Sequence, residues 1–277
     1  MGRPPAIRGG PRVTIKAPQA TLKGSTKGFL GAKSGEVESF MGIPYAKPPI
    51  GELRFKAPVR LTESLGEIDV TAEQPESCPR FALKSDFGSP LIPPGLLDSR
   101  PAGTKEGAKL PVMYWIFGGG FELGSMSMYN GAGLVAEGMS TGKPFIFVAV
   151  NYRVGAWGFM PGKDVMDEGN SNAGLLDQRM GLEWVQDNIA SFGAAIPKKS
   201  LCGENLLGPF RSSFFSQFTL FNGKITRNGK ALFRGAIMNC GSAVPTDPMD
   251  SPKATKDGFH PKTCDGIRLQ PILAQYI

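Results

Sequence analysis

Three consecutive glycines, Gly118-Gly119-Gly120, follow directly on the apolar run Pro111 to Phe117. Without Cβ atoms the backbone can turn so that successive N–H groups point at one spot. A negative oxygen generated during acyl transfer would be stabilised there, as in an oxyanion hole. A tight turn or a close packing contact would use the same residues, and the position after a buried strand favours the acyl-transfer reading. The groups that would act with such a hole are scarce. The chain has one histidine, His260, in a polar stretch, where a lone imidazole reads as a surface side chain rather than a base. Ser212 and Ser213 have no base placed beside them, and an unassisted serine hydroxyl is a poor nucleophile. Cys78, Cys202, Cys240 and Cys264 lack the spacing of metal ligands, so neither a metal nor any other cofactor is expected.

Further motifs stand on both sides of the triplet. Gly42-Ile43-Pro44-Tyr45-Ala46-Lys47-Pro48-Pro49-Ile50-Gly51 is followed by Leu53-Arg54-Phe55. Asn151-Tyr152-Arg153-Val154-Gly155 precedes Gly158-Phe159. Gly169-Asn170-Ser171-Asn172-Ala173-Gly174-Leu175-Leu176-Asp177-Gln178 leads into Leu182-Glu183-Trp184-Val185. In this order and at about this spacing they resemble the type-B carboxylesterase and lipase family. The segment Trp115 to Phe121 is similar to the oxyanion segment of its fungal lipases. The resemblance runs from Val37 to about Gly193 and resumes from about Gln217 to Lys253, as in the N-terminal part of such a chain. It implies an α/β-hydrolase fold and cleavage of carboxylic esters through an acyl-enzyme. In such enzymes a serine on a sharp strand-to-helix turn attacks, a histidine takes its proton, and a carboxylate orients the histidine. It also assigns Gly119, Gly120 and the N–H of Leu206 as oxyanion donors.

The departure from the family lies at its nucleophile elbow, Gly-Glu-Ser-Ala-Gly. Here the chain reads Gly203-Glu204-Asn205-Leu206-Leu207. Asn205 stands where the serine belongs, and an amide has no useful nucleophilicity. Leu207 replaces a glycine that the sharp turn normally needs. Gly203 and Glu204 are what remains of the elbow, Glu204 matching a structural carboxylate beside it. A codon argument accounts for the change. When a family-like gene segment is read out of frame, each codon takes the last two bases of one family codon and the first of the next. GAA-TCT (Glu-Ser) then yields AAT, which is Asn205, and TCT-GCT (Ser-Ala) yields CTG, which is Leu206. Every residue from Ala194 to Ser213 is compatible with that frame. Codons here whose neighbouring frame does not encode Gly-Glu-Ser-Ala-Gly would refute a local frameshift. Other departures agree with it. Leu91 to Arg100 runs into Pro101-Ala102-Gly103-Thr104 as though the strand before the oxyanion strand were deleted. Cys78 matches the family's first disulfide cysteine without its partner, and Cys240 stands at what is usually a serine. The family's acid and histidine are expected beyond residue 277.

The elements that must position these groups are those of an α/β chain. Pro111 to Phe117 and Pro144 to Val150 are near-continuous apolar runs, which suits strands covered on both faces of a parallel sheet. Gly131 to Met139 suits a short helix. From Asn172 to Ala190, the spacing of Leu175, Leu176, Met180, Leu182, Val185 and Ile189 predicts a helix with Asn172 as N-cap. Leu232 to Met238 is a further strand. The fold class is therefore α/β: a truncated α/β-hydrolase fold with a mostly parallel central sheet and N-terminal antiparallel strands. Residues 1–30 read as a loose arm followed by short antiparallel strands, 31–256 as the partial hydrolase domain, and 257–277 as an irregular tail. Residues 74–109, rich in Pro, Gly, Ser and charge, read as a long surface loop, and 194–213 carry no periodicity.

The net charge of +7 is spread along the chain rather than gathered in a basic stripe with aromatics, which argues against nucleic acid. No apolar window is long enough to span a membrane, and the first residues lack the apolar core of a secretory signal, which favours the cytoplasm. The expected partner of an active enzyme is a small acyl ester. With serine, histidine and acid absent, the chain is expected to be inactive. The alternatives are a binding protein of the cholinesterase-like kind and an active esterase whose gene sequence contains an error.

Overall fold

In a computed structural model, the chain is described over residues 10–27, 32–71, 95–119, 121, 124–129, 131–160, 162–194, 200–205 and 226–239. In chain order, strands β1 (Arg12–Lys16), β2 (Gln19–Lys23), β3 (Val37–Pro44), β4 (Gly66–Asp69), β5 (Gly95–Pro101) and β6 (Val112–Ile116) lead to helix α1 (Gly131–Ser140). Strand β7 (Ile146–Val150) precedes helices α2 (Ala156–Phe159), α3 (Lys163–Asp167) and α4 (Ala173–Asn188). Then come β8 (Ser200–Asn205), β9 (Thr226–Arg227), β10 (Lys230–Ala231) and β11 (Gly235–Asn239).

The main sheet has the order β11-β8-β6-β7-β5-β3, with β11, β8, β6 and β7 parallel and β5 and β3 antiparallel to their neighbours. Apolar patterning explains its centre. All of Ile146 to Val150 is buried, and β6 alternates buried Val112, Tyr114 and Ile116 with half-buried Met113 and Trp115. The two faces are covered by different helices, which is why both strands are apolar on both sides. A β-carbon on Gly131 of α1 would lie 2.0 Å from the ring of Phe147, whereas one on Gly181 of α4 would meet the Tyr114 hydroxyl at 2.3 Å and Val150. Odd positions of β7 therefore face α1 and even positions face α4.

Strands β1 and β2 form an antiparallel hairpin within the stretch read as a loose arm followed by short strands, and β4 joins β2 in parallel. Alternation buries Val13, Ile15, Ala20 and Leu22, which join the same apolar core as the main sheet. Asn188 at the end of α4 secures the hairpin turn. Its Oδ1 accepts from the N–H groups of Lys16 (3.1 Å) and Ala17 (2.9 Å), and its Nδ2 donates to the Ala17 carbonyl (2.6 Å). Farther along α4, Arg60 donates to Asp187 and Glu183, both at 2.6 Å, and Arg227 of β9 donates to Asp187 at 2.7 Å.

Four sequence expectations change. The strand expected to be deleted is present: β5 pairs with β3 on one side and β7 on the other, Glu38 opposite Arg100 and Asp98 opposite both Phe40 and Val148. Its polar residues Asp98, Ser99 and Arg100, all buried, disguised a strand, so the supposed loop 74–109 contains sheet over Gly95–Pro101. Asn172 does occupy the position before α4, but with left-handed backbone (φ 57°, ψ 39°) and without a side-chain cap. Its short polar side chain tolerates that conformation, which is its use here rather than capping. Strand β11 starts at Gly235, and Leu232 and Phe233 are buried ahead of it. The aperiodic stretch 194–213 includes β8, whose place is set by pairing with β6 and β11.

Candidate active site

The order of connections locates the site. From β6 the chain crosses by α1 to β7 on one side, then returns by α4 to β8 on the other side of β6. At such a reversal the loops leaving the C-terminal ends of the two strands diverge and open a crevice. Those loops carry the residues singled out by sequence. Ile116 lies opposite Glu204 and Trp115 opposite Gly203. Continuing this register one residue brings Asn205 level with Phe117, where the glycine run begins. The backbones of Gly203, Glu204 and Asn205 thus form the end of β8, Gly203 and Glu204 paired with the last two residues of β6 and Asn205 with Asn239 of β11. Gly119 has φ 137°, a conformation open to glycine and strained for any residue with a β-carbon. Gly120, Leu206, Ser212, Ser213 and His260, with Cys78, Cys240 and Cys264, fall outside the described residues.

The glycine run is held from beneath and from the side. Phe117 stacks on Tyr152 with ring centroids 4.3 Å apart, and the Tyr152 hydroxyl donates to the Phe117 carbonyl at 3.0 Å. Phe121 also has left-handed backbone (φ 66°), and its carbonyl accepts from the N–H of Gly155 at 2.6 Å. Its ring lies 4.6 Å from that of Phe159. Gly124 packs so closely that a β-carbon would lie 2.4 Å from the Gly118 carbonyl oxygen.

The remaining motif residues work on this scaffold rather than on a substrate. Tyr45 donates to the Asn151 carbonyl (2.7 Å), and Asn151 Oδ1 accepts from the N–H of Met126 (2.9 Å). Asp177 receives the Arg153 guanidinium through Nε and Nη2, both at 2.8 Å, and the Arg153 N–H at 3.0 Å, all buried. Arg153 Nη1 donates to the Lys56 carbonyl at 2.7 Å, joining the N-terminal motif to the one after β7. Gly158 and Gly174 are glycines because β-carbons there would lie 2.2 and 2.4 Å from the Arg153 carbonyl oxygen. Sequence reasoning found these residues as motifs and missed their roles as fasteners. Tyr45, Tyr152, Arg153 and Asp177 make contacts that span long stretches of chain. Among the described residues no cluster of His, Cys, Asp and Glu could hold a metal ion, and no helix is long and apolar enough to cross a membrane.

Comparison with known proteins decides the family. The model of the carboxylesterase family matches residues 11–253. The chain belongs to that family. It is 47% identical over 263 residues to the secreted triacylglycerol lipase LIP1 of Gibberella zeae, covering 88% of this chain and 43% of that one. Lipase 4 of Diutina rugosa is 44% identical over 262 residues, covering 87% of this chain and 47% of the relative. Among solved structures, a PNB esterase superposes with a TM-score of 0.69 at 30% identity, covering 92% of this chain and 48% of that one. Aspergillus niger EstA gives 0.61 at 31% identity over 71% of this chain and 36% of the other. The fold is thus that of the α/β-hydrolases, and the chain spans about half the length of the curated relatives it matches.

Proposed function

We propose that this member of the carboxylesterase family derives from a serine ester hydrolase and does not itself hydrolyse esters. The observation that supports the reading is the sequence Gly203-Glu204-Asn205 at the end of β8, a strand that pairs with β6 just ahead of the glycine run, with an amide where the family elbow has serine. Gly119, Gly120 and the N–H of Leu206 are the oxyanion donors of that arrangement, with Gly203 and Glu204 as the rest of the elbow. A carboxamide at the nucleophile position forms no acyl-enzyme. Without the nucleophile, only the weak acceleration of an oxyanion hole and binding would remain. The ancestral substrate class is the carboxylic ester, in keeping with the lipases and esterases it resembles. The domain that carried the chemistry is 31–256, with 257–277 outside it.

A fluorophosphonate probe tests this directly, since it labels only an activated serine. The expected result is no labelling and no burst with p-nitrophenyl butyrate, because the elbow carries a carboxamide where probe and ester need a hydroxyl. Stoichiometric labelling of the unaltered chain would overturn the proposal. A second reading is supported by the compatibility of Ala194 to Ser213 with a shifted frame, flanked on both sides by family sequence. On that reading the in-frame gene encodes an active esterase. Nucleotide sequencing across these codons separates the two. If the frame is restored, the corrected protein should turn over the p-nitrophenyl ester and lose that activity when the restored serine becomes alanine.

A further inference from the structure

Strand β5 places a carboxyl group where the fold provides nothing to receive its charge. Asp98 is 0% exposed, and neither carboxylate oxygen has a hydrogen-bond partner among the described residues. It points from the middle of β5 to the face covered by α4 and the turn that follows it. Its cross-strand neighbours are Phe40 on β3 and Val148 on β7, both apolar. The cation nearest in the strand, Arg100, is already committed. Its Nε donates to Glu38 at 2.9 Å and its Nη1 to the Phe192 carbonyl at 3.0 Å. Its guanidinium also lies 5.2 Å from the Phe40 ring centroid and 5.7 Å from that of Phe192. Arg100 can serve Asp98 only by leaving Glu38, which is itself buried and would then be an unpaired anion.

We propose that Asp98 is a pH-sensitive latch on the β3–β5 edge of the main sheet, closed while its carboxyl is neutral and released when it ionises. The groups acting on it electrically are Arg100 on its own strand and Glu38 on β3, while β7 presents Val148 and the turn after α4 presents Phe192. Burial dominates, Arg100 opposes it and Glu38 reinforces it, so the carboxyl is pushed up to about 8 from an ordinary 3.8. The sign follows from proton linkage. Below the unfolded value both states hold the proton, and closure is complete. Between the two values the folded state binds more protons than the unfolded state, so stability falls as pH rises, by up to about tenfold in the unfolding constant per pH unit. Because β3 is the outer strand, opening there exposes Asp98 without dismantling β6 and β7.

The test compares the full chain with Asp98→Asn and Asp98→Leu by urea unfolding and by amide exchange in β3 and β5, from pH 5 to pH 8. The expected result is that the unaltered chain loses urea midpoint and β3–β5 protection steeply over this range relative to both variants. Exchange reads the local opening even where global unfolding is not cooperative, and either variant alone suffices for the comparison. Parallel pH profiles in all three proteins would overturn the proposal, as would greater loss in Asp98→Asn than in the unaltered chain.

Discussion

At the scale of single residues, the Arg153–Asp177 pair ties the segment after β7 to helix α4. The guanidinium and carboxylate are both buried, and each satisfies the other through paired hydrogen bonds. Removing one charge strands the other in a medium that cannot solvate it. Asp177→Asn is therefore expected to cost about 3–5 kcal/mol in urea unfolding, while replacing both with apolar residues, Arg153→Met with Asp177→Leu, recovers much of that loss. Equal losses in the single and double variants would show that packing rather than charge is at stake. Asn205 is a different case. Its side chain is expected to contribute little to the fold, because strand β8 is placed by backbone pairing on both sides.

At the scale of elements, helix α4 is the member on which the others converge. Its N-terminal turn abuts the Arg153 carbonyl through Gly174, its middle packs on Tyr114 through Gly181, and Asn188 at its end fastens the β1–β2 hairpin. Glycine brings the helix close enough for Tyr114 to donate to the Gln178 carbonyl at 2.9 Å. A methyl group at position 174 has no room, since backbone rather than a flexible side chain stands in its way. Gly174→Ala is expected to destabilise by about 1–3 kcal/mol despite alanine's better helix propensity, measured by the shift in urea midpoint at constant slope. An unchanged midpoint would mean that α4 can slide outward without cost.

At the scale of the whole molecule, one apolar core runs from the hairpin through the parallel strands to Leu232 and Phe233. Both faces of β6 and β7 are covered, whereas β3 and β11 are the outer strands of the sheet and Ile237 on β11 is 42% exposed. Amide exchange is expected to be slowest in β6 and β7 and faster in β3 and β11. Uniform protection across all strands would contradict this gradient.

The sequence by itself determined the family, the α/β class, the two central parallel strands and helix α4. Each of these is written in a contiguous stretch: apolar runs for β6 and β7, helical spacing for α4, and short motifs for the family. Only the tertiary structure decided that β5 exists. Its Asp98, Ser99 and Arg100 read as loop until Glu38 and Phe192, far away in the chain, are found around Arg100. The same holds for Tyr45, Arg153 and Asp177, which sequence marked as motif and structure revealed as ties between distant segments. Local patterning records how a segment meets water, but burial of a polar group depends on partners that arrive only when the chain folds.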